Sequence, residues 1–181
     1  MSTKTLITVE EFAQMTTSET EDYELVEGEL VPLASASPMH AKIRQNVERL
    51  VANYLDSNPI GVVLGEVDCR INEELVRRPD LSILLSARLK DIDRKRVPLP
   101  FAPDIAVEVL SPSENVVEVH RKALEYLAGG SQEVWQLDHE NGEVFVQTHS
   151  GIRLLRGNEA VLDSPLLPGF SAPLAKLLAG F

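Results

Sequence analysis

The chain has 181 residues, of which 44% are hydrophobic and 5% aromatic, and its formal net charge at pH 7 is -11. This length and apolar content suffice for one core of ordinary size, and we expect a single domain over residues 1–181. The charge argues against a protein that coats nucleic acid through bulk electrostatics, because nonspecific affinity comes from neutralising phosphates.

The sequence also lacks features of membrane and disulfide-bonded proteins. No apolar run approaches the roughly 18 residues that a membrane span requires, and Met1-Ser2-Thr3-Lys4 does not begin an apolar leader. The single cysteine, Cys69, excludes an internal disulfide and any zinc site built on cysteines. We therefore expect a cytoplasmic protein.

The first third of the chain predicts two helices separated by strands. Residues 8–11, Thr-Val-Glu-Glu, have the form of a capping box and predict a short helix to about Met15. Residues 23–31 alternate around a glycine, which predicts two short strands or a bent one. Residues 38–55 carry apolar side chains at helical spacing, with Pro38 suited to the first turn.

Strands and a basic segment follow. Short apolar runs bounded by turn residues predict strands at 62–64, 66–71 and 79–85. Residues 86–100, which contain two prolines, are predicted to form a loop. Residues 77–96 carry seven bases against three acids, whereas residues 1–30 carry one base against eight acids. The basic run is either a solvated loop or a phosphate-binding surface. The candidate nucleic-acid contacts are Arg78, Arg88, Lys90, Arg94, Lys95 and Arg96.

The second half of the chain predicts a buried strand, a helix and a meander. Residues 103–110 are almost continuously apolar, which is typical of a strand buried on both faces. Ser113 is expected to cap a helix that runs to about Ala128. Asn141-Gly142 predicts a type I′ hairpin. The flanking strands are predicted at 133–137, 143–147 and 152–155, a tight turn at 167–170, and a closing helix at 171–178.

Two of these strands carry a carboxylate on a face that is otherwise able to pack. Side chains alternate along a strand, so Asp104, Ala106 and Glu108 share one face, and Asp80 shares a face with Ser82. Burying an ionised carboxylate without a partner costs several kcal/mol, and a divalent cation would compensate. Mg²⁺ or Mn²⁺ suits this pattern, since Mg²⁺ binds one or two carboxylates and keeps water or phosphate oxygens as its other ligands.

A lysine on the following helix can reach this pair. From Glu108 to Ser111 the strand advances about 10 Å, and a helix running back from Glu114 to Lys122 retraces about 12 Å. Lys122 is therefore predicted to lie abreast of Glu108, with Tyr126 one turn further along the same side.

Motifs spread over nearly the whole chain resemble one protein family. The motifs are Arg78-Pro79-Asp80-x-Ser82, the run at residues 103–113, Lys122-x-x-x-Tyr126, Glu133-Val134-Trp135-x-x-Asp138, the run at 23–30, His40, and Leu167-Pro168-Gly169-Phe170. This set is similar to the Uma2 (DUF820) family of proposed restriction endonucleases, within the PD-(D/E)xK nuclease superfamily.

The resemblance implies an α/β (α+β), restriction-endonuclease-like fold, with a central mixed sheet flanked by helices and an antiparallel C-terminal meander. It implies that Asp80 and Glu108 are metal ligands, with the Val109 carbonyl as a third, and that Lys122 assists the nucleophile or transition state. The superfamily places its lysine two residues after the glutamate, where this chain has Leu110. The family carries the lysine on the next helix, which agrees with Lys122.

The function so implied is a Mg²⁺-dependent DNA endonuclease, and we expect a homodimer because cleavage of two strands commonly uses two sites. The sequence does not separate DNA from RNA as the substrate. The rival function is a catalytically inactive nuclease-fold protein that acts as a nucleic-acid-binding or assembly module. The acidic composition and Leu110 favour this rival.

Each candidate residue also has a structural explanation. Asp80 alone could end a turn, and Glu108 could be the buried partner of an arginine. His40 is either a satisfied or solvated histidine or a contact on the substrate side. Glu48, two turns further along the helix, is a weaker candidate for the acidic site. Tyr126 is an auxiliary candidate but, like Trp135, is more readily explained as a core aromatic.

Overall fold

The computed structural model describes residues 6–15, 17–20, 22–112 and 114–181, apart from the side chain of Thr17. The described helices are α1 (Val9–Phe12), α2 (Thr17–Thr20), α3 (Pro38–Ser57), α4 (Ser86–Leu89), α5 (Val116–Ala128) and α6 (Leu174–Leu177). The described strands are β1 (Tyr23–Val26), β2 (Glu29–Pro32), β3 (Gly61–Gly65), β4 (Cys69–Asn72), β5 (Leu75–Arg77), β6 (Leu81–Leu85), β7 (Ile105–Val109), β8 (Glu133–Asp138), β9 (Glu143–Thr148), β10 (Gly151–Arg156), β11 (Val161–Asp163) and β12 (Ser171–Pro173).

The central sheet has six strands in the order β10-β9-β8-β7-β6-β3. Strands β7 and β8 are parallel, and every other neighbouring pair is antiparallel. The parallel pair requires a crossover, which α5 supplies. The predicted mixed sheet and antiparallel C-terminal meander, β8-β9-β10, are therefore confirmed.

One face of this sheet is covered by α3 and the C-terminal segment. Ser37 caps α3 by accepting a hydrogen bond from the backbone N–H of His40, and Pro38 occupies the first turn. Ile43, Val47 and Val51 lie four residues apart and are fully buried. They pack with the inward side chains of β6 to β9 and with residues of β12 and α6.

The opposite face is covered by α5 and by a second sheet of four strands, in the order β2-β1-β5-β4. Ala123, Tyr126 and Leu127 of α5 pack on this side with Ala106 and Val134 of the central sheet. Asp80, which immediately precedes β6, lies on this face, and so does Glu108. The fold thus places both carboxylates beneath α5, beside the four-stranded sheet.

One strand prediction was wrong, and two short strands were not predicted. A single strand was predicted at 66–71, but Glu66 has a φ of 50°, which ends β3, and the next strand begins at Cys69. Strand β5 was not predicted, because three residues give too short a period to recognise, although its pairing with β1 and β4 completes the second sheet. Strand β11 was missed for the same reason.

Helix ends also differ from the predictions. Helix α1 has the predicted capping box, Thr8 with Glu11, but ends at Phe12. Helix α5 begins at Val116, with Asn115 as its cap; Ser113, the predicted cap, lies outside the described residues. Residues 86–89 of the predicted loop form α4.

Two turns of the C-terminal half differ as well. The β8–β9 hairpin is present, but its type I′ turn is not. The pair nearest the loop is Asp138–Glu143, so the loop spans residues 139–142. Only Gly142 in this loop has a positive φ, whereas a type I′ turn needs two such residues. Residues 171–173 form β12, and the closing helix begins only at Leu174.

In the described part of the chain, no helix combines the length and the apolar character needed to cross a membrane. The single domain over residues 1–181 stays a prediction.

Candidate active site

The two carboxylates lie opposite each other on adjacent strands. The β6–β7 register pairs Leu81 with Val107, and one further step along it places Asp80 against Glu108. Directly opposed residues in an antiparallel pair project to the same face of the sheet. Asp80 lies at the position where the ladder stops, which leaves its side chain open to a cleft between α5 and the N-terminal segment.

Asp80 is oriented through one of its two oxygens. Its Oδ2 accepts a hydrogen bond of 2.6 Å from the backbone N–H of Val109 and lies 3.3 Å from His40 Nε2. The hydrogen bond with Asp80 raises the pKa of His40, against the opposing effect of burial. Nδ1 of His40 is buried and has no partner among the described residues. The remaining oxygen of Asp80, Oδ1, is available to a ligand in the cleft.

Glu108 is similarly held by one oxygen. Tyr126, which is fully buried, donates a 2.7 Å hydrogen bond to Oε1, and Lys122 Nζ lies 3.9 Å from the same atom. Burial raises the pKa of Glu108 to about 7, and Asp80 acts in the same direction, while Lys122 opposes them. The positive charge of Lys122 therefore does not fully offset the cost of burying the Glu108 carboxylate next to Asp80.

Lys122 lies between two acids. Its Nζ is 3.9 Å from Glu108 and also 3.9 Å from Oε2 of Glu24, a residue of β1 that is 3% exposed. Glu108, with a smaller contribution from Glu24, raises the pKa of Lys122, so the side chain is a cation. The predicted approach of Lys122 to Glu108 is thus present in the structure.

Glu24 is fixed by a second cation. Arg77 donates to Glu24 at 2.7 Å and to Glu125 at 2.8 Å, and its guanidinium is almost fully buried. The backbone N–H of Arg78 donates to the other oxygen of Glu24 at 2.8 Å. Glu24 and Arg77 were not predicted as site residues. Charged residues within short strands were the available signal, but it does not say which charges meet.

The carbonyl of Val109 is left without a ladder partner for a sequence reason. Leu110 N–H donates to Leu137 of β8, so the N–H and C=O of Val109 point the other way, towards β6. The β6–β7 register continues to Pro79 opposite Val109. Proline has no N–H. The Val109 carbonyl, a predicted third metal ligand, therefore receives no hydrogen bond from that residue.

These groups suit a divalent cation that keeps several water ligands, rather than an ion whose ligands all come from the protein. No group of three or more His, Cys, Asp or Glu side chains suited to hold a metal ion occurs among the described residues. Two carboxylates and one carbonyl are instead the incomplete ligand set that Mg²⁺ uses when water or phosphate fills its remaining positions. The charges agree, because the cation near Glu108 is Lys122, which lies 3.9 Å away and is shared with Glu24.

The surrounding cleft has a volume of about 940 Å³ and is mainly acidic. Its acidic lining residues are Asp22, Glu24, Glu66, Asp68, Asp80, Glu108, Glu114 and Glu118, and its basic lining residues are Arg77, Arg78, Arg121 and Lys122, with His40. Glu48, the predicted addition to the acidic site, does not line the cleft. Trp135 is a core residue that stacks on Phe170, as predicted.

The predicted nucleic-acid contacts divide into two groups. Lys90, Arg94, Lys95 and Arg96 are exposed on the segment that leads to Val97 at the cleft rim. Arg78 pairs with Asp68 through Nε at 2.7 Å and Nη2 at 3.1 Å.

Arg88 has a structural role, because it connects its own helix to two loops and to Asp104. Its guanidinium donates to the carbonyl groups of Ala102 and Gly130, lies 3.1 Å from Asp104 and sits over the ring of Phe101.

Residues 9–175 match the protein family described as "Uma2: Putative restriction endonuclease". The chain belongs to the Uma2 family. The Uma2 fold is also found in a crystal structure described as a putative nuclease belonging to DUF820, from Anabaena variabilis ATCC 29413. The two chains share 21% identity with a TM-score of 0.82, and the similarity covers 95% of this chain and 97% of that one. No curated protein matches the chain.

Family membership agrees with the motifs that carried the resemblance, and the fold is that of the DUF820 crystal structure. In this Uma2 protein the lysine near the carboxylates comes from α5, and Leu110 follows the strand residue Val109.

Proposed function

We propose that this Uma2 protein is a divalent-metal-dependent endonuclease that hydrolyses phosphodiester bonds in DNA. The observation that carries the proposal is the meeting of Asp80, Glu108 and Lys122 at one end of the cleft, with the carbonyl of Val109 beside them. Membership of a family described as "Putative restriction endonuclease" supports the same class of reaction.

Each residue has a distinct part in the proposed chemistry. Asp80, Glu108 and the Val109 carbonyl bind Mg²⁺ or Mn²⁺, which supplies an activated water and neutralises charge on the phosphate. Val109 N–H and Tyr126 O–H each occupy one oxygen of a carboxylate and so leave the other oxygen for the ion. Lys122 places a positive charge next to Glu108, where it stabilises the charge that develops during attack.

The remaining candidates act at the edges of this site. His40 holds Asp80 and is available to contact substrate, since it also lines the cleft. Lys90, Arg94, Lys95 and Arg96 approach the phosphate backbone of DNA from the rim, which compensates for the acidic interior. A homodimer would supply a second site for the second strand.

Plasmid cleavage and metal titration test the proposal together. Asp80→Asn, Glu108→Gln and Lys122→Ala should each abolish cleavage in Mg²⁺ or Mn²⁺, while Glu118→Gln, in the same cleft, should retain it. Calorimetry should detect ion binding to wild type and little to Asp80→Asn. If wild type binds no divalent ion and the three variants differ from it only in stability, the protein is not this enzyme.

Leu110, which stands where the superfamily motif places its lysine, favours a second candidate, a nuclease-fold protein that binds nucleic acid or other proteins without catalysis. This candidate predicts DNA binding that weakens steeply with salt and disappears when Lys90, Arg94, Lys95 and Arg96 are replaced, with no cleavage in any metal. Arg88 is unsuitable for this test because its replacement would disturb the loop itself.

A further inference from the structure

Strand β10 forms a free edge of the central sheet. It pairs with β9 on one side, and no described strand lies on its other side. Thr148 and Gly151 flank a two-residue turn and form the first pair of the ladder, which is a hydrogen-bonded pair. Because hydrogen-bonded pairs alternate along an antiparallel ladder, the backbone N–H and C=O groups of Gly151, Arg153 and Leu155 point towards β9. The N–H and C=O groups of residues 152, 154 and 156 therefore point outwards.

The other edges of the two larger sheets are less open to pairing. Strand β2 has Glu29 and ends in Pro32, and charge and proline both oppose addition of a strand. Strand β4 is covered by a loop, since Arg70 N–H donates to Leu99 O and Leu99 N–H donates to Asp68 O. The side chains of β3 are mostly half-buried. By contrast, nearly every residue of β10 is exposed.

The exposed face of β10 is apolar. Ile152 is 57% exposed and Leu154 is 44% exposed, and both stand on the face that carries α5. A groove of about 400 Å³ lies alongside, between Ile152, Phe145 and Val119. A free edge next to contiguous apolar surface is the arrangement that leads to pairing between chains.

The charges of β10 are neutralised within the chain. Arg153 pairs with Asp163 at 2.5 Å, and Arg156 pairs with Glu143. A net charge of -11 disfavours contact between two copies in general, but this edge is locally neutral. It therefore permits self-association where most of the surface would repel a second copy.

We propose that two copies of this chain associate through antiparallel pairing of β10 with β10 of the partner, which joins the two central sheets across a two-fold axis. A register centred on Leu154 places Leu154 opposite the partner's Leu154 and Ile152 opposite the partner's Arg156. A register centred on Arg153 would instead oppose two arginines, which is destabilising. The proposal gives the proposed homodimer a specific interface and does not depend on catalysis.

This pairing fixes the relation between the two candidate sites. Glu108, Gln136, Phe145 and Leu154 form one cross-strand row from the site to the edge. Seven strand spacings then separate Glu108 from the partner's Glu108, about 34 Å along the joined sheet. Both sites open on the same face, at a separation close to one turn of B-DNA, about 34–36 Å.

Disulfide trapping tests the register. The Cα atoms of a hydrogen-bonded antiparallel pair lie about 5.5 Å apart, within the span of about 4.4–6.8 Å that disulfides bridge. Leu154→Cys should therefore give a covalent dimer on mild oxidation, whereas Leu124→Cys, 51% exposed on α5, should remain monomeric on a denaturing gel. Native Cys69 is fully buried and provides no competing thiol.

Sedimentation velocity of wild type and of Leu154→Lys completes the experiment. We expect a wild-type dimer, at least tenfold weaker association for Leu154→Lys, and an unchanged melting temperature of the variant monomer. A monomeric wild type would overturn both the homodimer and this interface. A wild-type dimer without the Leu154→Cys crosslink, or an open series of larger oligomers, would overturn the interface alone. Loss of nuclease activity in a different assay would leave these results unaffected.

Discussion

The ionisation of Glu108 is set mainly by its burial. The side chain lies beneath α5, where Asp80 and Glu24 add negative potential and Lys122 reduces it. The result is a carboxyl group whose pKa is raised to about 7 in the metal-free protein. This has a measurable effect on stability, because the unfolded chain releases the same proton at much lower pH.

The free energy of unfolding of metal-free protein should fall as pH rises from about 4.5 to about 7. In that range the folded state retains a proton that the unfolded state has lost, so raising the pH favours unfolding. The contribution of Glu108 should amount to between about 2 and 4 kcal/mol. Urea denaturation with chelator at pH 5 and pH 7.5 measures it.

The matched variant for this measurement is Glu108→Gln. The variant should show a smaller decrease in stability over the same pH range, since its amide does not titrate. His40 is present in both proteins, but Glu108 also raises the pKa of His40, so the difference between the proteins reports the titration of Glu108 together with its effect on His40. Equal pH dependence of the two proteins would contradict the raised pKa.

Glu24 contributes to stability because it forms a buried ion pair with Arg77. Glu24→Gln should destabilise the protein by about 3–5 kcal/mol, because Arg77 would lose one of two partners in a nearly inaccessible position. Thermal or urea denaturation measures this loss. The control is Glu10→Gln, which removes an ion pair with Arg70 at the surface and should leave stability nearly unchanged.

At the scale of elements, the end of the β6–β7 ladder produces the candidate metal site. The ladder stops at Leu81 because Pro79 cannot donate a hydrogen bond and Asp80 turns its side chain to Val109 N–H. Termination of one strand thus leaves both a carboxylate and a carbonyl at the same point. Helix α5 returns over this point and adds Lys122.

Pro79→Ala should weaken binding of Mn²⁺ by up to about tenfold without preventing folding. Alanine provides an N–H that can pair with the Val109 carbonyl and compete with the ion, and a typical hydrogen bond contributes about 0.5–1.5 kcal/mol. Titration calorimetry measures the affinity. Pro112→Ala, an exposed proline after β7, is the control and should bind as wild type does. Unchanged affinity of Pro79→Ala would argue against the carbonyl as a ligand.

At the scale of the whole molecule, charge is separated between an acidic cleft and a basic rim. The cleft suits a cation, and the exposed bases of the rim segment suit phosphate. The formal charge of -11 conceals this separation. DNA binding should accordingly depend on metal and on the rim in different ways.

Replacement of Lys90, Arg94, Lys95 and Arg96 by Gln should reduce the salt dependence of DNA binding. Each lost phosphate contact lowers the slope of log affinity against log salt by about 0.9. Fluorescence anisotropy over a series of salt concentrations, with Ca²⁺ in place of Mg²⁺, measures the slope. Lys176→Gln, on α6, should leave it unchanged. An unaltered slope in the fourfold variant would exclude the rim as the DNA-binding surface.

The sequence by itself determined the family, the mixed sheet, α3 and the juxtaposition of Asp80, Glu108 and Lys122. The family, the mixed sheet and the pairing of Asp80 with Glu108 as metal ligands follow from the resemblance of the motifs. Helix α3 and the approach of Lys122 to Glu108 follow from helical spacing and from the fixed rise of strands and helices, which are local properties. The burial of Trp135 and the capping box of α1 were likewise predicted from local sequence alone.

Only the tertiary structure decided which charges compensate one another. Glu24, Arg77 and Glu125 come from three elements of the chain, and their contact depends on the pairing of β1 with β5 and on where α5 packs. Arg88 and Lys90 look alike in sequence, yet Arg88 donates a hydrogen bond to the Ala102 carbonyl, whereas Lys90 is exposed. The exposed edge of β10 is also a tertiary property, since it results from the order of strands. Such long-range pairings carry no periodic signal, because the interacting residues lie far apart along the chain.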